Sequence, residues 1–210
     1  MDQCEKEGRR QICFWGKQLY DKDLVVACDG NLSVRLSEDR ILCTPTGISK
    51  GFMTEDMLVV LDQWGNQVSG ERNPSSEAPM HVKLYQSNPT IKGIVHAHPP
   101  AATAFAIAGM PIEPDLSIEA ALSLGYIPVV PYATPGTEEM AHKVAAFGKA
   151  YKGALLASHG AVTWGKDLVE AFHRMTMLEH YAKMTLYSRY IIGQAQSIQE
   201  EEVKRLKGDK

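Results

Sequence analysis

Ile91-Lys92-Gly93-Ile94-Val95-His96-Ala97-His98, followed at once by Pro99-Pro100, is the stretch on which the reading of this chain turns. Its β-branched centre predicts a strand over 91–98. The stretch Pro99 to Gly109 that follows is alanine-rich and reads as a helix. Along a strand, side chains two apart share a face, so His96 and His98 present two imidazoles to the same side.

Outward from this point the pattern continues in both directions. Upstream, residues 2–20 place Ile12, Trp15, Leu19 and Tyr20 at helical intervals among charges, an amphipathic first helix. Between 24 and 71 the runs Leu32 to Leu36, Ile41 to Thr44 and Met57 to Leu61 alternate with Gly, Asn, Asp and Pro, as antiparallel strands and tight loops do. Asn73-Pro74 stops that pattern, and Ser75-Ser76-Glu77 opens a helix, since hydroxyls cap free amides and an early acid suits the helix dipole. Downstream, Ile127 to Val130 reads as a strand and Thr137 to Phe147 as a helix. Ala154 to Ser158 reads as a buried strand ending at His159-Gly160, and Leu168 to about Ile192 as a long C-terminal helix. The expected fold is a layered α/β (α+β) domain, with a mixed, largely antiparallel sheet flanked by helices. One domain is expected over 1–195, with a charged tail over 196–210 whose end, Glu200 to Lys210, should fray.

With 210 residues, 44% of them hydrophobic, the chain is long enough for one sizeable core. A formal charge of -3 provides no basic field, which argues against nucleic acid or an anionic membrane as the main partner. Met1-Asp2-Gln3-Cys4-Glu5-Lys6 puts charges where a signal peptide carries its apolar run, and no stretch approaches the roughly 18 apolar residues of a membrane span. A cytoplasmic protein is expected. Cys4, Cys13, Cys28 and Cys43 form no C-x-x-C pair and read as reduced thiols.

His96 and His98 make half a metal site, and His159, at the end of a strand where loops carry function, offers the third ligand. Three histidines leave a coordination position open, the catalytic pattern for zinc. His81, His142, His173 and His180 lie in helical patterns without such geometry and read as structural or solvent-facing. Glu77 could be only a helix-end acid, but Ser75 and Ser76 beside it make a ready anion site. Gly30-Asn31 and Thr46-Gly47 each pair a permissive glycine with a side-chain donor, as a phosphate cradle would. Taken singly, each of these dipeptides is ordinary turn chemistry.

Taken together, the order is distinctive. Gly30-Asn31-Leu32-Ser33, Thr44-Pro45-Thr46-Gly47, Pro74-Ser75-Ser76-Glu77, His96-Ala97-His98, Pro131-Tyr132-Ala133-Thr134 and His159-Gly160 resemble the class II aldolase/adducin family, and most of all its L-fuculose-1-phosphate aldolase branch, over residues 8–190. The resemblance implies a homotetramer with active sites between subunits and one divalent metal per subunit, Zn2+ favoured over Mn2+, Co2+ or Fe2+. It implies His96, His98 and His159 as metal ligands and Glu77 as the acid/base, able to touch the metal when substrate is absent. Gly30, Asn31, Thr46, Gly47, Ser75 and Ser76 match the phosphate-binding positions. The implied reaction is reversible cleavage of a ketose 1-phosphate to dihydroxyacetone phosphate and an aldehyde through an enediolate.

The departures concern the aldehyde side. Where that branch has a tyrosine after the proline of the loop behind the H-x-H helix, counting from Pro111 reaches Asp115, with Glu113 nearby; Pro135 replaces a second aromatic. Asp115 is therefore read as a selectivity residue, with a proton donor of the kind the epimerases use, or plain surface, as the alternatives. Cys28 stands where a threonine near the phosphate is common. Epimerase, dehydratase and decarboxylase chemistries on a sugar phosphate share such a site and stay open, although Glu rather than Asp after the paired serines disfavours the epimerases. A non-catalytic module like the adducin head would not need three histidines and an acid.

Overall fold

The computed structural model describes residues 2–207, with side chains through Arg205. Eight strands form one sheet in the order β4-β3-β2-β1-β5-β8-β7-β6. The strands are β1 (Asn31–Arg35), β2 (Arg40–Cys43), β3 (Val59–Asp62), β4 (Gln67–Ser69), β5 (Gly93–Ala97), β6 (Val129–Val130), β7 (Gly153–Leu156) and β8 (Gly160–Gly165). All neighbours are antiparallel except β6 and β7. This is the mixed, largely antiparallel sheet that the sequence predicts.

Strand alternation sorts the core into two layers. Leu32, Leu42, Val60, Val95, Leu155 and Ala161 join the apolar side chains of α1 (Gln3–Asp21), α3 (Pro100–Ile107) and α5 (Leu168–Thr185). Their alternates Ile41, Cys43, Val59, Leu61, Ile94, Leu156 and Val162 join those of α2 (Ala78–Ser87) and α4 (Glu138–Ala145). His96 follows Ile94 by two, so it faces the α2 layer. In the register His96 stands between Asn31 of β1 on one side and Val162 of β8 on the other.

Two expectations require correction. The strand predicted to finish at His159-Gly160 is half of a hairpin: β8 follows after the loop Ala157-Ser158-His159, which Leu156 and Gly160 close as a pair. Three-residue hairpin loops place one residue in the left-handed region, usually glycine, and here Ser158 takes it with φ 58°. Without an Asn-Gly or Asp-Gly signal the turn is hard to see in sequence. The charged C-terminal tail, expected to fray, forms α6 (Glu200–Lys207) beside a π-helical turn at Ala120–Leu124. A Lys204–Glu200 pair at 2.7 Å spans one turn of it, and residues 208–210 lie outside the described part.

The expected C-terminal helix is α5 continued by a π-helical segment, Leu186–Ile192. β4 is the short exposed edge strand that the sequence reading leaves unmarked. All four cysteines are free. Among the described residues, no helix is long and apolar enough to cross a membrane.

A candidate metal centre beside an anion cradle

His96 is the second-last residue of the central strand β5, His98 follows the strand, and His159 sits in the β7–β8 loop, so neighbouring segments of the sheet meet at one end. One ligand nitrogen from each lies within 4.8 Å of the others, and the Nε2 atoms of His96 and His98 are 3.1 Å apart. Nitrogens about 2.0–2.1 Å from a tetrahedral zinc stand roughly 3.3–3.4 Å apart, so the arrangement suits a small divalent ion after slight closure around it.

The surroundings orient these rings. His96 Nδ1 donates to the Ala161 carbonyl at 2.9 Å, which turns Nε2 toward the centre. His98 Nδ1 faces Asp29 Oδ2 at 3.4 Å, and its backbone N–H donates to the Leu24 carbonyl at 3.0 Å. Gly160 makes room for the His98 ring: a Cβ there would lie 2.6 Å from His98 Cδ2. Burial, then the charge of His96, lowers the proton affinity of His98, and the same causes bring His159 down to about 4. Both imidazoles are therefore neutral at pH 7, as ligation requires.

Glu77, the residue before α2, lies 3.2 Å from His96 Nε2 and 3.6 Å from His159 Nε2, and accepts from Asn31 Nδ2 at 2.8 Å. Burial pushes its carboxyl up, but His96, His159 and the Asn31 amide outweigh that and hold it well below the usual carboxylate range. Behind it runs a buried chain, with Ser33 Oγ 2.9 Å from Tyr85 OH and 2.7 Å from His81 Nδ1. The Ser33 hydroxyl thus links the Tyr85 phenol to His81 Nδ1, and His81 Nε2 is buried with no partner among the described residues. His81 is thus a structural histidine one turn from Glu77, kept neutral by burial first and the nearby His96 charge second, with a pKa of about 3.

The three loops expected to cradle a phosphate do converge. Thr46 N donates to the Asn73 carbonyl and Ser75 N to the Thr44 carbonyl, both at 3.1 Å, which stitches the Thr46-Gly47 loop to the Ser75-Ser76 turn. Thr44 Oγ1 accepts from Leu32 N at 3.3 Å and draws in the Gly30-Asn31 loop. Gly30 has φ +72°, and a Cβ there would meet the His96 carbonyl oxygen at 2.8 Å, so only glycine lets this loop lie against β5. One cavity of about 230 Å³ is lined by Gly30, Asn31, Thr46, Gly47, Ser75, Ser76, Glu77, His98 and His159 together.

Asp115 does not line this cavity: it pairs with Arg189 and Ser197 near the C-terminal segment. Pro135 does line it, so the expected departure at that position falls on the site. The sequence reading did not single out Asp29, which orients His98, or the Ala161 carbonyl, which orients His96; a carboxylate just before Gly30-Asn31 was the available signal for the first.

The chain is similar to several known proteins. Residues 10–186 match the family described as Class II Aldolase and Adducin N-terminal domain. A 3-oxo-tetronate 4-phosphate decarboxylase of Haemophilus influenzae is 37% identical over 188 residues, covering 87% of each chain. An L-fuculose phosphate aldolase of Methanocaldococcus jannaschii is 35% identical over 182 residues, 87% of this chain and 96% of that one. A solved L-fuculose 1-phosphate aldolase superposes with TM-score 0.89 at 32% identity, covering 96% of this chain and 95% of the other.

Proposed function

This chain belongs to the class II aldolase/adducin family, and from that premise we propose that it is a metal-dependent lyase which breaks and forms a carbon–carbon bond at the far side of the carbon next to the carbonyl of a phosphorylated sugar. The observation that carries the proposal is a cavity whose wall joins His98, His159 and Glu77 to three hydroxyl- and amide-rich loops, with the buried His96 ring packed directly behind Glu77 and the other two imidazoles.

His96, His98 and His159 would hold one divalent metal, zinc by preference for imidazole ligands, and Glu77 could complete the set while substrate is absent. The donor set fits: Nε2 of His96 and His98 converge, and their Nδ1 atoms already have an acceptor each. When bound, the metal supplies Lewis-acid polarisation of the substrate carbonyl. Asn31, Thr46, Ser75 and Ser76, with the backbone at Gly30 and Gly47, bind and orient the phosphate. Glu77 moves the proton at the carbon beside the carbonyl, taking it in the direction of synthesis and returning it after cleavage. The Asn31 amide holds Glu77 in place for that transfer. In the metal-free protein His96 and Glu77 support each other's charge, Glu77 offsetting the burial that would otherwise keep His96 neutral. Metal binding therefore displaces a proton. A homotetramer, as the family resemblance implies, completes the reading.

The leading substrate is a ketose 1-phosphate, cleaved to dihydroxyacetone phosphate and an aldehyde. A second reading rests on the Haemophilus influenzae relative: a 3-oxo-tetronate 4-phosphate that loses carbon dioxide also leaves dihydroxyacetone phosphate. Both reactions ask Glu77 to protonate the same hydroxymethyl carbon. The coproduct separates them. Metal-loaded protein offered L-fuculose 1-phosphate and 3-oxo-tetronate 4-phosphate in parallel should release dihydroxyacetone phosphate from one of them, with aldehyde or carbon dioxide identifying the reaction. A chelator should abolish it, and a His96→Ala/His98→Ala double variant should carry no metal. Stoichiometric metal in that variant would remove the centre from the argument, and no release from either compound by metal-loaded protein would remove both readings.

A further inference from the structure

Lys50 is a lysine with 1% of its surface exposed, in the stretch just after the Thr46-Gly47 loop. Its Nζ donates to the Cys28 carbonyl at 2.9 Å and to the Ile48 carbonyl. Helix α1 covers it, since a Cβ at Gly16 would lie 3.6 Å from Lys50 Cβ. Among the described residues it has no ion-pair partner. The acid whose charge reaches it, Asp29, faces His98 at 3.4 Å. Burial pushes the ammonium below the usual lysine range.

A buried ammonium satisfied only by carbonyls is costly, so its position invites a physical reason. The two carbonyls belong to the two segments that carry Cys28, Gly30 and Asn31 on one side and Thr46 and Gly47 on the other side of the cavity. The Cys28 thiol adds a second tie, donating to the Gly47 carbonyl at 3.4 Å. The cavity wall itself includes two carboxylates, Asp29 and Glu77, and no lysine or arginine. A phosphate monoester, carrying about two negative charges near neutral pH, would meet those carboxylates with only neutral donors around it.

We infer that Lys50 is a positioning residue for the phosphate: its buried ammonium is the fixed counter-charge behind the cradle, and it holds the Gly30-Asn31 and Thr46-Gly47 loops at the separation a phosphate needs. The inference rests on the cradle reading above and adds a cation that does not line the cavity. Electrostatic attraction from a fixed, desolvated charge acts without contact and costs no reorganisation when the anion arrives.

Inorganic phosphate titrated into metal-loaded parent, Lys50→Met and Lys50→Gln proteins, followed by thermal midpoint, tests this. The parent midpoint should rise with phosphate, and Ser75→Ala should blunt the rise. Lys50→Met should keep the parent's metal content and bind phosphate more weakly by about tenfold or more, each variant's rise being read from its own phosphate-free midpoint. Lys50→Gln keeps a donor for one carbonyl but no charge, so it should lose affinity as well; if Lys50→Met does not fold, this variant decides. Binding within about twofold of the parent in a folded neutral variant would reduce Lys50 to a loop tie. A parent midpoint indifferent to phosphate would instead overturn the cradle itself, and the role of Lys50 with it.

Discussion

At Gly160 the absence of one methyl group decides where a ring can stand. A Cβ there would lie 2.6 Å from His98 Cδ2 and 2.7 Å from the Ala97 carbonyl oxygen, so neither the ring nor the strand has room to yield. Gly160→Ala should cost about 1–3 kcal/mol of stability by overpacking and weaken zinc retention in a chelator competition. Parent-like retention would show that His98 tolerates displacement. Glu77 makes a different demand, since its carboxylate is held ionised between two histidines and an amide. Glu77→Gln keeps the shape and the metal but removes the base, and kcat should fall on the order of 10²–10⁴-fold. Turnover within a factor of two of the parent would leave Glu77 as a helix-end acid only. Ser33, between Tyr85 and His81, has no catalytic part; Ser33→Ala should cost about 1–3 kcal/mol in chemical denaturation, because two buried polar groups lose their partner.

Among the elements, the β7–β8 hairpin carries His159 on a loop whose neighbour is strained. Ser158 has φ 58°, a region that costs an L-residue roughly 1–2 kcal/mol. Ser158→Gly should be neutral or stabilising by up to about 1 kcal/mol, and Ser158→Val destabilising by about 1–2 kcal/mol, measured by urea denaturation. The opposite order would mean that the serine is not strained there. Helix α1 is fastened by Glu5, which accepts from Arg9 Nη2 at 2.7 Å and pairs with Arg40, while Arg9 Nη1 reaches the Leu58 carbonyl at 3.1 Å. Burial raises the Glu5 carboxyl, but the two guanidinium groups outweigh it and hold the folded-state value below the ordinary 4.5. A depressed folded value means stabilisation that is complete above the unfolded pKa and is lost as pH falls through the folded one. Glu5→Gln should therefore be less stable than the parent at pH 7, with the gap closing below about pH 4.5. A gap independent of pH would show that packing rather than charge fastens the helix.

Across the whole molecule, the sheet separates two apolar layers, and the candidate centre sits where β5, β8 and the start of α2 meet at one sheet end. Asp115 belongs to a different part of this architecture. Its carboxylate holds Arg189 and Ser197, and its carbonyl accepts from Ile198 N at 2.7 Å, which fastens the segment after α5 to the loop behind α3. Asp115→Asn should increase hydrogen exchange over residues 186–199 while leaving metal stoichiometry unchanged. Unaltered protection there, with altered aldehyde preference, would return Asp115 to the selectivity role that its position in the sequence suggests.

The alternation of strands and helices, the shared face of His96 and His98, and the helix beginning at Ser75-Ser76-Glu77 are local properties. Periodicities of two and of 3.6 and a capping pattern write them into a few neighbouring residues. By itself the sequence therefore determined the layered class, the family and the candidate ligands. Other features depend on contacts across long separations. Ser158 adopts a left-handed turn because β7 and β8 pair on both sides of it, so β8 and the true setting of His159 were hidden behind a serine where a glycine would have announced a hairpin. Lys50 looks like a surface lysine until α1 and two loops close over it. Asp29 and the Ala161 carbonyl aim their histidines only once the loop before β1 and strand β8 lie beside β5. Local pattern selects the elements, whereas burial and the partners of each polar atom exist only after distant segments have packed, and those were decided by the tertiary structure alone.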